Sequence, residues 1–309
     1  MVFCPAPQLT VTVEQGPDGP DIHLHAGGQG VWQARMIASL GGRVVLCAAL
    51  GGEVGRVLTP LIAAEGIEVR AVDGGAANGA YVHDRRGGER AEIAEAPGRP
   101  LTRHETDELY GLALAEGMQA SVCLLSGVAD ASVLAADVYR RLAGDLRRNG
   151  ARVAADLAGD YLTAVLEGGL TFLKVAHDEL IASGRAAGDA PADLVAAIRG
   201  LRAAGAESVV VSRADLPALA LLGDQPRGDE VLEVVMPRLE PADPRGAGDS
   251  MTAGAVAVLA GGGDLSRAVR TGAAAAALNV TRHGLGTGTA DAVRQMVEHV
   301  DLRPLGAAA

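Results

Sequence analysis

The run Gly246-Ala247-Gly248-Asp249-Ser250 lies between the turn-forming Asp243-Pro244-Arg245 and an apolar stretch at 254–260. Small residues at 246–248 let successive backbone N–H groups point at one spot, and a helix starting there adds its positive end. The turn therefore suits a phosphate or a developing phosphoryl charge. A carboxylate at Asp249, beside that charge, suits removal of a proton from an attacking hydroxyl. These residue types point to phosphoryl transfer to an alcohol, with Gly246, Ala247 and Gly248 as the anion hole and Asp249 as the base. The competing reading is an ordinary helix entry capped by Asp or Ser, and the surrounding elements decide between the two.

Those elements must come from an aromatic-poor chain. Its 309 residues are 49% hydrophobic but only 2% aromatic, so the core must be built from Ala, Val, Leu and Ile, which suit buried parallel strands covered by Ala-rich helices. A formal charge of −11 speaks against a general electrostatic grip on nucleic acid or on an anionic membrane. Cys4, Cys47 and Cys123 are far apart in apolar segments and read as buried, reduced thiols. With no basic-then-apolar leader and no apolar run long enough to span a bilayer, the expected location is the cytoplasm.

Hydrophobic periodicity alternates strand with helix along most of the chain. Strands are expected at 2–6, 43–50, 122–125, 151–155, 170–175 and 208–211, with helices between them, and helices dominate the C-terminal part at 249–260, 265–281 and 289–300. This is the pattern of a doubly wound α/β sheet. Two stretches break it. Residues 9–13 and 22–25 alternate with period two around the turn Gln15-Gly16-Pro17-Asp18-Gly19, and 67–96 reads as short strands at 68–72, 80–84 and 90–93 joined by turns such as Arg86-Gly87-Gly88. Together they predict a small separate sheet. The alanine run 273–277 reads as a close-packed helix face.

Two motifs near opposite ends of the chain carry a family resemblance. Gly27-Gly28-Gln29-Gly30-Val31-Trp32-Gln33-Ala34-Arg35, followed by Leu40-Gly41 and Leu50-Gly51-Gly52-Glu53-Val54-Gly55, resembles the N-terminal signature of the ribokinase-like (PfkB) carbohydrate kinases, and Gly246-Ala247-Gly248-Asp249-Ser250 resembles their catalytic signature. The closest branch is that of 1-phosphofructokinase and tagatose-6-phosphate kinase. The resemblance implies one ribokinase-like domain over 1–309, a doubly wound, mostly parallel sheet between helices, with a discontinuous β lid at about 8–26 and 67–96. It implies ATP with Mg²⁺ as donor and a sugar or sugar phosphate as acceptor.

Site residues carry over position by position. Gln8, Gly27, Gly28, Gln29, Trp32 and Asn78 fall on the acceptor side. Lys174 (the sole lysine), Ser212, Asn279, Gly284 and Gly286 fall on the nucleotide side, and Glu179 keeps the acid of a metal-associated Asn-x-x-Glu pattern, here Ala176-His177-Asp178-Glu179. Several positions depart from the family. Gln8 stands for an Asp, Gln29 for a Lys, Trp32 for an Asn, Ala214 for a Gly, and the phosphate-gripping Arg of the lid strand is missing from the stretch Ala77-Asn78-Gly79-Ala80. Arg35, Arg85, Arg86, Arg90 and Arg103 can supply a relocated anion site, and His23 and His25 share one face of a lid strand. The readings left open are a kinase with an altered acceptor site and a nucleotide- or sugar-binding regulatory protein with little transfer activity. An oxidoreductase using Gly27 to Gly30 as a dinucleotide loop lacks the acidic residue about 20 positions on. The open edges and apolar positions of a lid sheet lead to the expectation of a homodimer.

Overall fold

The computed structural model describes residues 1–306 except 76, 89, 226, 227, 238, 241 and 283–285. Strand β1 (Val2–Phe3) starts the main sheet, after which the chain leaves it for the hairpin β2 (Gln8–Gly16) and β3 (Gly19–Gly27) and returns through α1 (Gln29–Ser39) to β4 (Val45–Gly51). Helix α2 (Gly52–Ala64) leads to β5 (Glu68–Gly74), and β6 (Ala80–Asp84) and β7 (Ala91–Ala96) complete the small sheet. Alternation then follows through α3 (Arg103–Gly117), β8 (Val122–Ser126), α4 (Ala136–Arg148), β9 (Arg152–Asp156), α5 (Gly159–Gly168), β10 (Phe172–Ala176), α6 (His177–Ala182), α7 (Pro191–Ala203) and β11 (Val209–Arg213). The rest comprises β12 (Leu216–Leu221), β13 (Leu232–Val235), α8 (Ala247–Ala260), α9 (Leu265–Asn279), α10 (Ala290–Val297) and β14 (Asp301–Pro304).

The main sheet has ten strands in the order β14-β13-β12-β11-β10-β9-β8-β1-β4-β5, and the small sheet has four in the order β3-β2-β6-β7. From β5 to β11 all pairs of the main sheet are parallel, and β12, β13 and β14 extend it antiparallel. This is the expected mostly parallel α/β arrangement with a separate small sheet. Two differences stand out. Residues 68–74 belong to the main sheet, pairing with β4 from Val45↔Glu68 to Gly51↔Gly74, so the lid comprises β2, β3, β6 and β7 only. Its backbone finds a long parallel partner there, which the short-strand reading did not offer. The antiparallel edge strands β12 to β14 were also unforeseen, because their pairing joins segments as distant as 232 and 304.

Two apolar layers sandwich the sheet. Val31, Met36, Ala253, Ala255 and Ala273 lie in one, and Leu109, Tyr139, Leu142, Val165 and Ile198 in the other. Helices α8 and α9 approach so closely that a Cβ on Gly272 would lie 2.4 Å from the Met251 carbonyl oxygen, and Ala273 to Ala277 are buried beside it, as the small-residue run predicts. The three cysteines are free and buried. Burial pushes the thiols of Cys4 and Cys47 up to about 12 and that of Cys123 to about 11, so all three stay protonated. Among the described residues no helix is long and apolar enough to cross a membrane.

Candidate active site

The catalytic-type residues collect at the carboxyl ends of the parallel strands, where ligands bind in doubly wound sheets. A cavity of about 350 Å³ there is lined by Gln8, Gly28, Gln29, Trp32, Asp156 and Glu179, among others. Gln8 belongs to β2 of the small sheet, so that sheet forms one wall. A larger depression of about 570 Å³ lies at the amino ends of the strands, around Arg152, Thr171 and Ser208. It gathers none of the expected site residues.

Gly246 caps α8 in the left-handed conformation (φ 72°), which glycine adopts without penalty, and this bend aims the amides of the turn at the mouth of the helix. Asp249 follows in the first turn, half-buried. Its proton affinity is raised to about 7, first by loss of water and then by the negative charge of Asp156, against the pull of Lys174 and of hydrogen bonds from Gln29 and Gln33. A carboxyl group that exchanges its proton near neutrality is what general-base chemistry requires.

Asp156, at the end of β9, is 3% exposed and accepts from Lys174 Nζ at 3.3 Å, Thr252 Oγ1 at 2.7 Å and Gln33 Nε2 at 3.2 Å. Lys174 packs against the anion turn, since a Cβ on Gly248 would lie 2.5 Å from its Nζ. Burial alone would lower its proton affinity, but Asp156, Asp249 and Glu179 together raise it, so the ammonium is held charged beside the turn. Glu179, the third residue of α6, accepts from its own helix entry, Ala176 N–H, at 2.8 Å and faces the same cavity. Burial makes it a weaker acid than usual.

The expected site residues separate into groups. Gln8, Gly28, Gln29, Trp32 and Glu179 line one cavity, with Lys174 and the turn carrying Asp249 beside them through Asp156 and Gln33. Gly27 ends β3 beside the rim, where a Cβ would lie 3.2 Å from the Tyr81 hydroxyl oxygen. Ser212, the last residue but one of β11, lies opposite Ala176, one strand beyond Lys174. Asn78 needs correcting. Its side chain is 7% exposed and fully engaged by backbone, accepting from Gly51 N–H at 2.8 Å and donating to Pro7 and Ala49 carbonyls at 3.1 and 3.0 Å, so it staples the lid root to the main sheet instead of reaching an acceptor. Asn279 is similar. It accepts from Ser250 Oγ and Gly286 N–H, both at 3.1 Å, and donates to the Arg245 carbonyl at 2.7 Å, which fixes the turn ahead of α8. Gly286 packs on the Trp32 carbonyl, and Gly284 lies outside the described residues.

Three polar contributors were missed by sequence reasoning. Asp156 sits one position past the predicted strand end, where the carboxyl-end rule for parallel strands marks it. Gln33 stands inside the N-terminal motif, and Thr252 one helical turn beyond the anion turn. Neither carried a separate signal.

The resemblance implies magnesium. Among the described residues no three His, Cys, Asp or Glu side chains cluster as a protein-only cage. Asp156 and Glu179 on one cavity wall fit an ion that takes one or two carboxylates and otherwise binds water and substrate phosphates, as Mg²⁺ does.

A parallel sheet with a glycine turn at a helix mouth, a pair of carboxylates and a charged lysine at its carboxyl edge fits a phosphotransferase. The chain belongs to the pfkB carbohydrate kinase family, whose profile matches residues 5–292. It is 29% identical over 262 residues to the ATP-dependent 6-phosphofructokinase isozyme 2 of Escherichia coli K12, covering 84% of this chain and 82% of that protein. A Mycobacterium tuberculosis protein of the same description is 28% identical over 275 residues, covering 88% of this chain and 79% of that one. The crystal structure of Escherichia coli phosphofructokinase-2 in complex with potassium superposes with a TM-score of 0.84 at 25% identity, covering 96% and 97% of the two chains. The chain is therefore a carbohydrate kinase of the ribokinase-like fold.

Proposed function

We propose that this kinase transfers the terminal phosphoryl group of ATP to a hydroxyl of a sugar, sugar phosphate or related polyol through an acceptor site of altered composition. The observation that carries the reading is Asp249, a carboxylate that exchanges its proton near neutrality at the mouth of α8. Asp249 takes the proton of the acceptor hydroxyl. The amides of 246–248 and the Lys174 ammonium receive the charge that spreads over the transferring phosphoryl oxygens. Asp156 and Glu179 would hold Mg²⁺, which supplies neutralisation of phosphate charge when bound.

Gln8, Gln29 and Trp32 make the acceptor wall neutral and partly aromatic, and among the described residues no Lys or Arg lines the cavity. An anionic acceptor would find cations on the lid. Thr10, Thr12, Tyr81 and His83 share the face of Gln8 by register, and Arg85 continues this row to Asp243 at 3.1 Å. Asp243 also holds Arg245 at 2.9 Å, while Arg90 stacks over Tyr81 at 5.5 Å from the ring centre. These three guanidiniums support a phosphorylated acceptor. The opposite lid face carries Val11, Val13, Ile22, Leu24 and Val82, with Ile22 64% and Leu24 48% exposed, and supports a homodimer formed through it.

The regulatory alternative draws on Trp32, whose indole occupies the acceptor wall. ADP release from Mg·ATP across a panel of sugars, sugar phosphates, polyols and nucleosides decides between them. The kinase reading expects at least one acceptor whose turnover collapses in Asp249→Asn. ATP binding without acceptor-dependent turnover across the panel would support the regulatory protein.

A further inference from the structure

Gln33 is completely buried in the first half of α1, and each of its polar atoms meets a protein group. Its Nε2 donates to Asp249 Oδ1 at 3.3 Å and to Asp156 Oδ2 at 3.2 Å, and its Oε1 accepts from Ser126 Oγ at 2.5 Å. Chemistry sets the orientation of this amide. Two carboxylates can only accept, so the NH₂ must face them, and the serine hydroxyl donates to the remaining oxygen. Ser126 is fixed in turn, since its carbonyl accepts from the Tyr139 hydroxyl at 2.7 Å.

The carboxylates bridged by this amide are unequally supported. Asp156 has an ammonium and a hydroxyl in addition to Gln33. Asp249 has no cation within hydrogen-bond distance among the described residues, and only amide donors act on it directly. Without a donor between them, two like charges this close would drive a proton onto the less supported one. The other groups facing the pair are Lys174 from β10, Glu179 from α6, Gln29 from α1 and Thr252 from α8. Cys4 beyond β1 and Tyr139 of α4 stay protonated, both held far above neutrality by burial.

We propose that Gln33 is a positioning residue that divides the work between the two carboxylates, tying Asp156 to the lysine side of the site and holding Asp249 in the orientation that meets the acceptor hydroxyl. One amide does both because each of its hydrogens serves a different acid. The proposal rests on Asp249 acting as the base.

The test is the split between kcat and KM in Gln33→Met, which keeps the bulk and removes both donors. With the bridge gone, kcat is expected to fall roughly tenfold or more, while KM for ATP and for the acceptor stays within about twofold. Ser126→Ala, which frees the amide without removing it, should give a smaller loss of kcat with the same KM values and decides the matter if Gln33→Met does not fold. An unchanged kcat, or a loss carried by KM alone, overturns the proposal. Full turnover in Asp249→Asn would strike the base assignment beneath it, so the two failures are told apart.

Discussion

Replacing Asp249 by Asn should make this protein a poorer enzyme and a more stable molecule, and the two effects should differ in their dependence on pH. Folding raises the proton affinity of Asp249 from 3.8 to about 7. A carboxyl group shifted upward holds its proton more tightly when folded, so it costs nothing below the unfolded value. The cost grows between about 4 and 7 and is complete above 7. About three pH units at roughly 1.4 kcal/mol each set an upper bound near 4 kcal/mol, and the partial exposure of Asp249 brings the figure to about 2–3 kcal/mol. Asparagine keeps the shape, still accepts from Gln33 and carries no charge. The variant should therefore melt on the order of 5 °C above the unmodified protein at pH 8, with the gap closing by pH 4.5. Acceptor-dependent kcat should fall by at least about 10² at pH 8. Melting curves at several pH values, together with ADP release, give both readings from one pair of proteins. An equal melting gap at pH 4.5 and pH 8 would refute the argument that burial beside Asp156 strains this carboxylate.

Other outcomes follow from particular contacts. Arg90→Ala should raise KM for a phosphorylated acceptor about tenfold or more while leaving KM for its unphosphorylated counterpart nearly unchanged, as steady-state kinetics on the pair would show. Ile22→Asp with Leu24→Asp places charge on the exposed lid face, and sedimentation is expected to find dimers of the unmodified protein and monomers of the variant. Ala214 holds a left-handed backbone (φ 49°), a conformation that favours glycine. Ala214→Gly should stabilise the fold by about 0.5–1 kcal/mol in denaturant titration, because the relief of strain exceeds the added freedom of the unfolded chain.

What the sequence revealed was local. Gly246 to Asp249 could be read because a turn, a helix entry and a carboxylate stand next to one another, and the lid hairpin because its alternation and its turn are contiguous. What stayed hidden depended on partners far along the chain. Residues 68–74 have the look of a lid strand until β4 pairs with them, and Leu232–Val235 shows its role only against Asp301–Pro304. Amide side chains were the hardest to place. Asn78, Asn279 and Gln33 have the same functional group, yet one staples backbone, one pins the catalytic turn and one bridges two acids. Which of these an amide does is set by the groups packed around it, and a motif does not record them.

The single lysine has a practical consequence. Lys174 is 6% exposed, on a central strand of the main sheet, and no other peptide bond in the chain follows a lysine. A lysine-specific protease therefore has no target while the molecule is folded, and on any molecule that opens it makes one cut, between 174 and 175. The rate at which two fragments appear on a gel then tracks the population of open molecules when reclosing outpaces the cut. Added nucleotide or acceptor that binds the folded form should slow the cut in proportion to its occupancy, so the protein carries its own binding assay before any turnover has been measured.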